Sequence, residues 1–352
     1  MRVLVTGGAG FIGSQFVRDL LSGGYGLGEP DGVTVLDKLT YSGNRANLDP
    51  VAADPRLRLV VGDVCDAALV DTVTPGHDLV VHFAAETHVD RSILAAAPFV
   101  STNVLGTQVL LDAALRHGVG RFVQVSTDEV YGSIDHGAWT EDQPLAPSSP
   151  YSAAKAGADL LALAYHRTHG LPVVVTRGSN TYGPYQFPEK LIPLFVTNLL
   201  DGRPVPLYGD GGNVRDWLHV ADHCAGIALA AHRGRPGRVY HLGGGAELTN
   251  KELTGRLLEA CGAGWEMVVH VPDRKGHDRR YALDTTRARR ELGYAPRVDL
   301  TEGLAATVAW YRDHRHWWEP LRARDRDAAG APGVPATAGP APVAPVRTAA
   351  LP

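Results

Sequence analysis

Val3-Leu4-Val5-Thr6-Gly7-Gly8-Ala9-Gly10-Phe11-Ile12-Gly13 opens the chain and decides its fold. Val3 to Val5 is a short apolar run of the kind that forms a buried parallel strand. Gly7, Gly10 and Gly13 follow at even intervals, the spacing of a dinucleotide-binding turn. Glycine there lets the backbone approach a pyrophosphate, whose charge then rests on the N-terminus of the next helix. Phe16, Val17, Leu20 and Leu21 give that helix one apolar face. A glycine motif alone is weak evidence, and a glycine-rich loop without phosphate is the bland alternative. The strand before it and the helix after it favour the nucleotide.

Working outward, strand and helix patterns alternate. Val33 to Asp37 forms a second strand, and a carboxylate at its end binds a ribose diol and repels a 2′-phosphate, so NAD is favoured over NADP. Leu57 to Val64 forms a third, with Asp63 a candidate contact to the adenine. Leu79 to Ala85 forms a fourth, whose small residues Ala84 and Ala85 leave room for a cofactor. Helices over Asn103–His117 and Tyr151–His169 stop at Gly118 and Gly170, and Pro172–Thr176 is a further strand. This alternation predicts an α/β fold, a doubly wound parallel sheet with a smaller second domain. Past Arg177 the pattern turns irregular, with loops over 182–193 and 203–213, a returning strand at Val239–Leu242, and helices over Glu252–Glu259 and Leu300–Tyr311. The expected division is a cofactor domain, 1–178, rejoined by 216–246, and a substrate domain, 179–215 with 247–321. Residues 322–352, almost wholly Ala, Pro, Gly and Val from Ala328, are expected to be a disordered tail.

Composition narrows the class. Of 352 residues, 44% are hydrophobic and 20% charged, as in ordinary globular proteins, and the net charge of -4 argues against a nucleic-acid surface. Cys65, Cys224 and Cys261 lie far apart without a CxxC, which suits a reducing cytosol. The first residues enter a strand at once, leaving no room for a signal peptide, and no run of apolar residues is long enough to span a membrane. A cytoplasmic protein is expected.

The chemistry is expected at Ser126-Thr127-Asp128-Glu129-Val130-Tyr131 and Tyr151-Ser152-Ala153-Ala154-Lys155. Phe122 to Val125 reads as a buried strand that delivers Thr127, Asp128 and Glu129 to its carboxyl end, where open α/β sheets bind ligands. Adjacent carboxyls can serve as acid and base if their surroundings separate their pKa values. On an extended strand they point apart, so a bend must bring both to one ligand. Tyr151 and Lys155 stand one helical turn apart and face one site. A lysine ammonium and a cationic nicotinamide would favour a Tyr151 phenolate. Together Thr127, Asp128, Glu129, Tyr151 and Lys155 read as a centre for redox and elimination. A solvated strand end is the bland alternative for the acidic pair.

Other features read as structural. His219 and His223 have a spacing that could bind zinc, but without a third ligand they read as a surface-helix pair, and no metal is expected. Trp310, Trp317 and Trp318 read as core or interface anchors, and Arg287, Arg289 and Arg290 as a solvated helix face.

The glycine turn with the Tyr-x-x-x-Lys helix resembles the extended short-chain dehydrogenase/reductase superfamily. Finer motifs resemble its dTDP-glucose 4,6-dehydratase family: Asp37 to Tyr41, His82 to Ser92, Ser126 to Gly132, Tyr182 to Gln186, Pro188 to Pro193, Arg215 to Val220 and Asp273 to Asp278. The resemblance implies an NAD-dependent homodimer acting on dTDP-glucose. Tyr151, helped by Lys155, takes the sugar 4-hydroxyl proton while hydride passes from C4 to NAD, and Thr127 bonds that hydroxyl. Glu129 removes the C5 proton, Asp128 protonates the leaving C6 hydroxyl, and the hydride returns at C6 to give a 4-keto-6-deoxy sugar nucleotide. The implied cofactor shell adds Phe11, Ile12, Asp37, Lys38, Leu39, Thr40, Asp63, Val64, Ala84, Ala85 and Thr102 to the three glycines and to Tyr151 and Lys155. The implied sugar-nucleotide shell is Thr87, Asn180, Glu189, Lys190, Leu191, Pro206, Tyr208, Arg215, Asn250, Arg274, His277 and Tyr281. Thr181 stands where the family usually carries asparagine, which bears on a cofactor contact there. Competing readings are a sugar-nucleotide 4-epimerase, in which Asp128 and Glu129 would be idle, and a non-enzymatic dinucleotide-sensing module.

Overall fold

Short β-branched runs alternating with amphipathic stretches set the element order. In the computed structural model, which describes residues 1–26 and 28–330, β1 (Arg2–Thr6) leads through the glycine turn into α1 (Phe11–Leu21). Then come β2 (Gly32–Asp37), β3 (Leu57–Val61), α2 (Ala67–Val73), β4 (Leu79–His82), α3 (Val89–Leu94) and the single turn α4 (Ala97–Phe99). A π-helical stretch, Val100–Leu105, joins α4 to α5 (Gly106–Arg116), followed by β5 (Arg121–Thr127), α6 (Pro150–His169) and β6 (Val173–Gly178). Beyond lie β7 (Asn180–Tyr182), α7 (Leu191–Leu200), β8 (Val205–Tyr208), β9 (Val214–His219), α8 (Val220–Arg233) and β10 (Val239–Leu242). The described chain closes with β11 (Glu247–Thr249), α9 (Asn250–Cys261), β12 (Val268–Val271), α10 (Thr286–Leu292), α11 (Leu300–Asp313) and α12 (Arg315–Gly330).

Seven strands make one parallel sheet in the order β10-β6-β5-β4-β1-β2-β3, so the doubly wound fold expected from the sequence is borne out. Chain direction across the sheet reverses between β1 and β4, and the crevice at such a switch point is where these sheets take ligands. Because strand side chains alternate, Val3 and Val5 join a core with Phe16 and Leu20 on one face, while Leu4 joins Leu110 and Leu111 on the other. A third core, with Phe195, Trp217, Leu257, Leu304 and Trp318, holds together the smaller sheets β11-β9-β7 and β12-β8.

Several elements differ from the sequence reading. β3 and β4 end at Val61 and His82, because the next residues leave the sheet to line a cleft. The loop expected through Pro193 gives way at Leu191 to α7, an apolar run whose periodicity alone does not separate helix from strand. Segment 216–246 is divided: residues through His219 stay in the three-stranded sheet, and α8 and β10 join the main one. Residues 322–330, expected to belong to the tail, are the end of α12; Ala and Arg are strong helix formers. The remainder of that expectation, 331–352, lies outside the described residues. Trp317 and Trp318 are buried in the third core. Arg287 is not on a solvated face: it pairs with Glu141 and Asp142. No described helix is long and apolar enough to cross a membrane.

Candidate active site

A serine, a proline and a glycine fix the helix that carries Tyr151 and Lys155. Ser149 caps α6 in a reciprocal box with Ser152, Pro150 occupies its first turn, and Gly170 ends it in the left-handed conformation. On the facing strand, β5 stops at Thr127, and Asp128–Tyr131 coils into a single 3₁₀ turn. Thr127 caps that turn: its Oγ1 accepts the Glu129 amide at 3.2 Å and donates to Asp128 Oδ1 at 3.1 Å. This turn supplies the bend that an extended strand lacks. Thr127, Asp128, Glu129, Tyr151 and Lys155 consequently all line one cleft of about 470 Å³.

Burial displaces the acid–base behaviour of these groups. Asp128 is 2% exposed, and desolvation followed by repulsion from Glu129 pushes its pKa up to about 8. Its Oδ2 has no hydrogen-bond partner within the protein. Burial also raises Glu129, but Arg274, Lys190 and Arg215 pull it back. Lys155 donates to the Val125 carbonyl at 2.7 Å, and burial pushes it down to about 8 against the pull of Asp159. The phenolate expected at Tyr151 is not favoured by the protein's own groups. Burial first, then the Glu129 and Asp128 charges, hold the phenol well above its ordinary range, opposed by a bond to Thr127.

The cofactor half of the cleft is built on the glycine turn. Gly7 has φ +68°, and a Cβ there would lie 2.5 Å from the Ala84 amide; a Cβ on Gly13 would lie 2.3 Å from the Gly7 carbonyl. Gly10 caps α1 without a side-chain bond, leaving the first-turn amides open to the cleft beside Phe11 and Ile12. Asp37 accepts from the Ala9 and Leu39 amides at 2.9 and 2.8 Å, which fixes its carboxylate at the end of β2. Lys38 pairs with Asp63 at 2.6 Å, and Thr40, Val64, Ala84, Ala85 and Thr102 complete this wall. Leu39 does not line it: with φ +53° it turns the chain and packs against the core beneath. An uncapped helix start, a glycine cradle and a placed carboxylate together fit a dinucleotide.

The opposite wall comes from segments far apart in sequence. Lys190 donates to the Thr87 carbonyl at 2.8 Å, and Glu189 accepts from Tyr41 at 3.1 Å with His88 and Arg91 each 3.5 Å away. Asn180, Leu191, Pro206, Tyr208, Arg215, Asn250, Arg274 and His277 line the same space. Tyr281 does not. It is 2% exposed and lies beneath Arg215, whose guanidinium stacks 4.2 Å from its ring centre. Asn180 Oδ1, Asn250 Oδ1 and Arg274 Nε are buried without protein partners, as befits walls made for a polar ligand. The sequence reading missed Glu86, His88, Asp90, Gln186 and Trp217; Glu86, His88, Asp90 and Trp217 sit inside motifs that had marked other residues. It also misread the histidine pair. His219 caps α8, and His223 is buried on the cleft wall, its Nδ1 2.8 Å from the Thr181 hydroxyl.

Residues 4–307 match the model of the GDP-mannose 4,6 dehydratase family. A dTDP-glucose 4,6-dehydratase of Streptomyces niveus is 65% identical over 95% of this chain and 99% of its own, and one of Streptomyces antibioticus is 66% identical over 94% and 98%. A dTDP-glucose 4,6-dehydratase of Streptomyces venezuelae, solved with NAD and TYD bound, superposes with a TM-score of 0.90 at 65% identity, covering 91% of this chain and 100% of that one. The chain therefore belongs to the GDP-mannose 4,6 dehydratase family, among its dTDP-glucose 4,6-dehydratases.

Proposed function

We propose that this protein is an NAD-dependent hydro-lyase that converts dTDP-glucose to dTDP-4-keto-6-deoxyglucose for deoxysugar biosynthesis. The observation that carries the reading is the meeting of Asp128 and Glu129 with Tyr151 and Lys155 in one cleft, the two carboxyls in different surroundings. When bound, NAD supplies the oxidant at C4 and the reductant at C6, and its ring charge favours ionised Tyr151. Tyr151 takes the proton of the 4-hydroxyl, which Thr127 holds, and Lys155 supports it from the next helical turn. The ketone at C4 acidifies C5, and Glu129, among Arg274, Lys190 and Arg215, removes that proton. Asp128 is still protonated at neutral pH and gives its proton to the C6 hydroxyl, which leaves as water. Arg215, Arg274 and Lys190 would hold the diphosphate through charge-assisted bonds.

The test is incubation of NAD-loaded protein with dTDP-glucose in deuterated water. A product lighter by one water, with deuterium at C5, is expected; turnover to a 4-epimer without exchange at C5 would show the wrong reaction. The protein is further proposed to work as a cytoplasmic homodimer. Free Cys65, Cys224 and Cys261 suit a reducing compartment. Leu94, Val100, Leu105 and Leu160, exposed by 72, 51, 48 and 59%, offer apolar surface around α6 for a second copy. Light scattering that found a monomer at micromolar concentration would remove the dimer.

A further inference from the structure

Behind the reacting groups runs a buried polar chain that the mechanism leaves unused. Asp159, one turn beyond Lys155 on α6, is wholly buried, and its Oδ2 accepts from Nε of Arg177 on β6 at 2.9 Å. Arg177 also donates to the Tyr131 hydroxyl and sits 4.8 Å from the centre of that ring. The hydroxyl meets His241 Nε2 on β10 at 2.7 Å, and His241 Nδ1 meets the Asp284 carbonyl at 3.0 Å. A ring nitrogen facing a carbonyl must carry the proton, so Nδ1 donates, Nε2 accepts, and Tyr131 donates to it. Every direction in the chain is thereby fixed.

Its two ends matter. Tyr131 is the last residue of the turn that presents Asp128 and Glu129, and Asp159 shares a helix with Tyr151 and Lys155. We infer that Asp159, Arg177 and Tyr131 form a positioning unit, which sets a counter-charge behind Lys155 and pins the far end of the turn carrying the two carboxyls. The inference rests on the role given to Lys155 above.

Stability is a poor reason for such a unit, since an apolar trio of the same shape commonly serves a core as well as a buried ion pair. Asp159 Oδ1 is left without a hydrogen bond, an arrangement that favours a neighbouring cation. The groups facing Lys155 are few. Asp159 comes from its own helix, His82 from β4 and the Val125 carbonyl from β5, while Tyr151, Asp128 and Glu129 line the same cleft and Arg177 stands behind Asp159. His82 is kept neutral by burial, and Asp128 stays protonated to about 8, so neither supplies a charge at neutral pH. Burial raises Asp159 too, but the Arg177 guanidinium bonded to it and the Lys155 ammonium both pull it back, so its charge is the one that faces Lys155; burial lowers Arg177, and Asp159 and Tyr131 more than offset this.

The test is the pH profile of nicotinamide reduction after NAD-loaded protein is mixed with dTDP-glucose. Removing the Asp159 charge lets the Lys155 ammonium deprotonate earlier. Asp159→Asn is therefore expected to move the alkaline limb down by about one pH unit and to slow reduction about fivefold at its wild-type midpoint, with Asp159→Glu restoring both. Should Asp159→Asn fail to fold, Tyr131→Phe keeps both charges and reads the other arm: it should slow loss of water about tenfold more than it slows reduction. No reduction by the unmodified protein overturns the proposed function, and this inference with it. Normal reduction by the unmodified protein, with an unmoved limb in Asp159→Asn or an unchanged ratio of the two rates in Tyr131→Phe, overturns this inference alone.

Discussion

At the sheet end of the cleft, Asp128, Tyr151 and Lys155 are each less than a tenth exposed and stand on a strand end and a capped helix. Across the gap, Lys190 precedes α7 and Arg274 follows β12, and both reach the same space from connecting segments. The first region changes what its groups are, because burial displaces their protonation. The second supplies charge, from Lys190 and Arg274, on side chains that are less deeply buried. Chemistry is thus expected from the first region and binding from the second, and substitutions on the two sides should separate the two kinds of effect.

The largest separation is expected within the sheet end itself. Tyr151→Phe should remove both nicotinamide reduction and loss of water, lowering turnover by about 10³-fold or more. Glu129→Gln should keep the absorbance of reduced nicotinamide yet block loss of water to a similar degree, as stopped-flow absorbance and product mass would report. Normal turnover by Glu129→Gln would make another group the base and dissolve the contrast. A smaller effect is expected across the gap. Arg274→Ala should raise KM for the nucleotide sugar by about 10- to 100-fold, the value of a charge-assisted bond, with kcat reduced far less. A fall in kcat alone would place Arg274 with the chemistry, through its pull on Glu129.

The smallest effect concerns stability. Asp128 keeps its proton to about 8 in the folded protein, whereas the unfolded chain releases it near the ordinary carboxylate value. The unfolded state therefore binds fewer protons over that interval, and the contribution of Asp128 to stability falls as pH rises through it. Asp128→Asn should remove that loss and raise stability by about 1–2 kcal/mol near pH 8, with no gain near pH 4, at the expense of activity. Thermal melts at the two values check the sign.

Legibility in the sequence followed the same line. The glycine turn, Asp37 and the strands of the main sheet are local patterns, and the residues they marked lie in the cleft, whereas Leu39, implied only by resemblance, does not line it. Leu39 escaped because a motif marks a stretch of chain, while a positive φ turned this member of it toward the core. Tyr281 was carried in by resemblance, yet its ring backs Arg215 instead of facing the gap. His223 looked like a surface residue because nothing local shows that β7 brings Thr181 against it.

Residue type and spacing by themselves determined a doubly wound sheet, a dinucleotide turn, and a Thr-Asp-Glu triplet set against a Tyr-x-x-x-Lys helix, since each is written in contiguous residues. Tertiary structure alone decided that Asp128 is raised to about 8, that the phenol resists ionisation, and that Arg177 ties the helix to the turn. Those properties come from desolvation and from charges brought close by folding, and neither has a value until distant segments exclude water together.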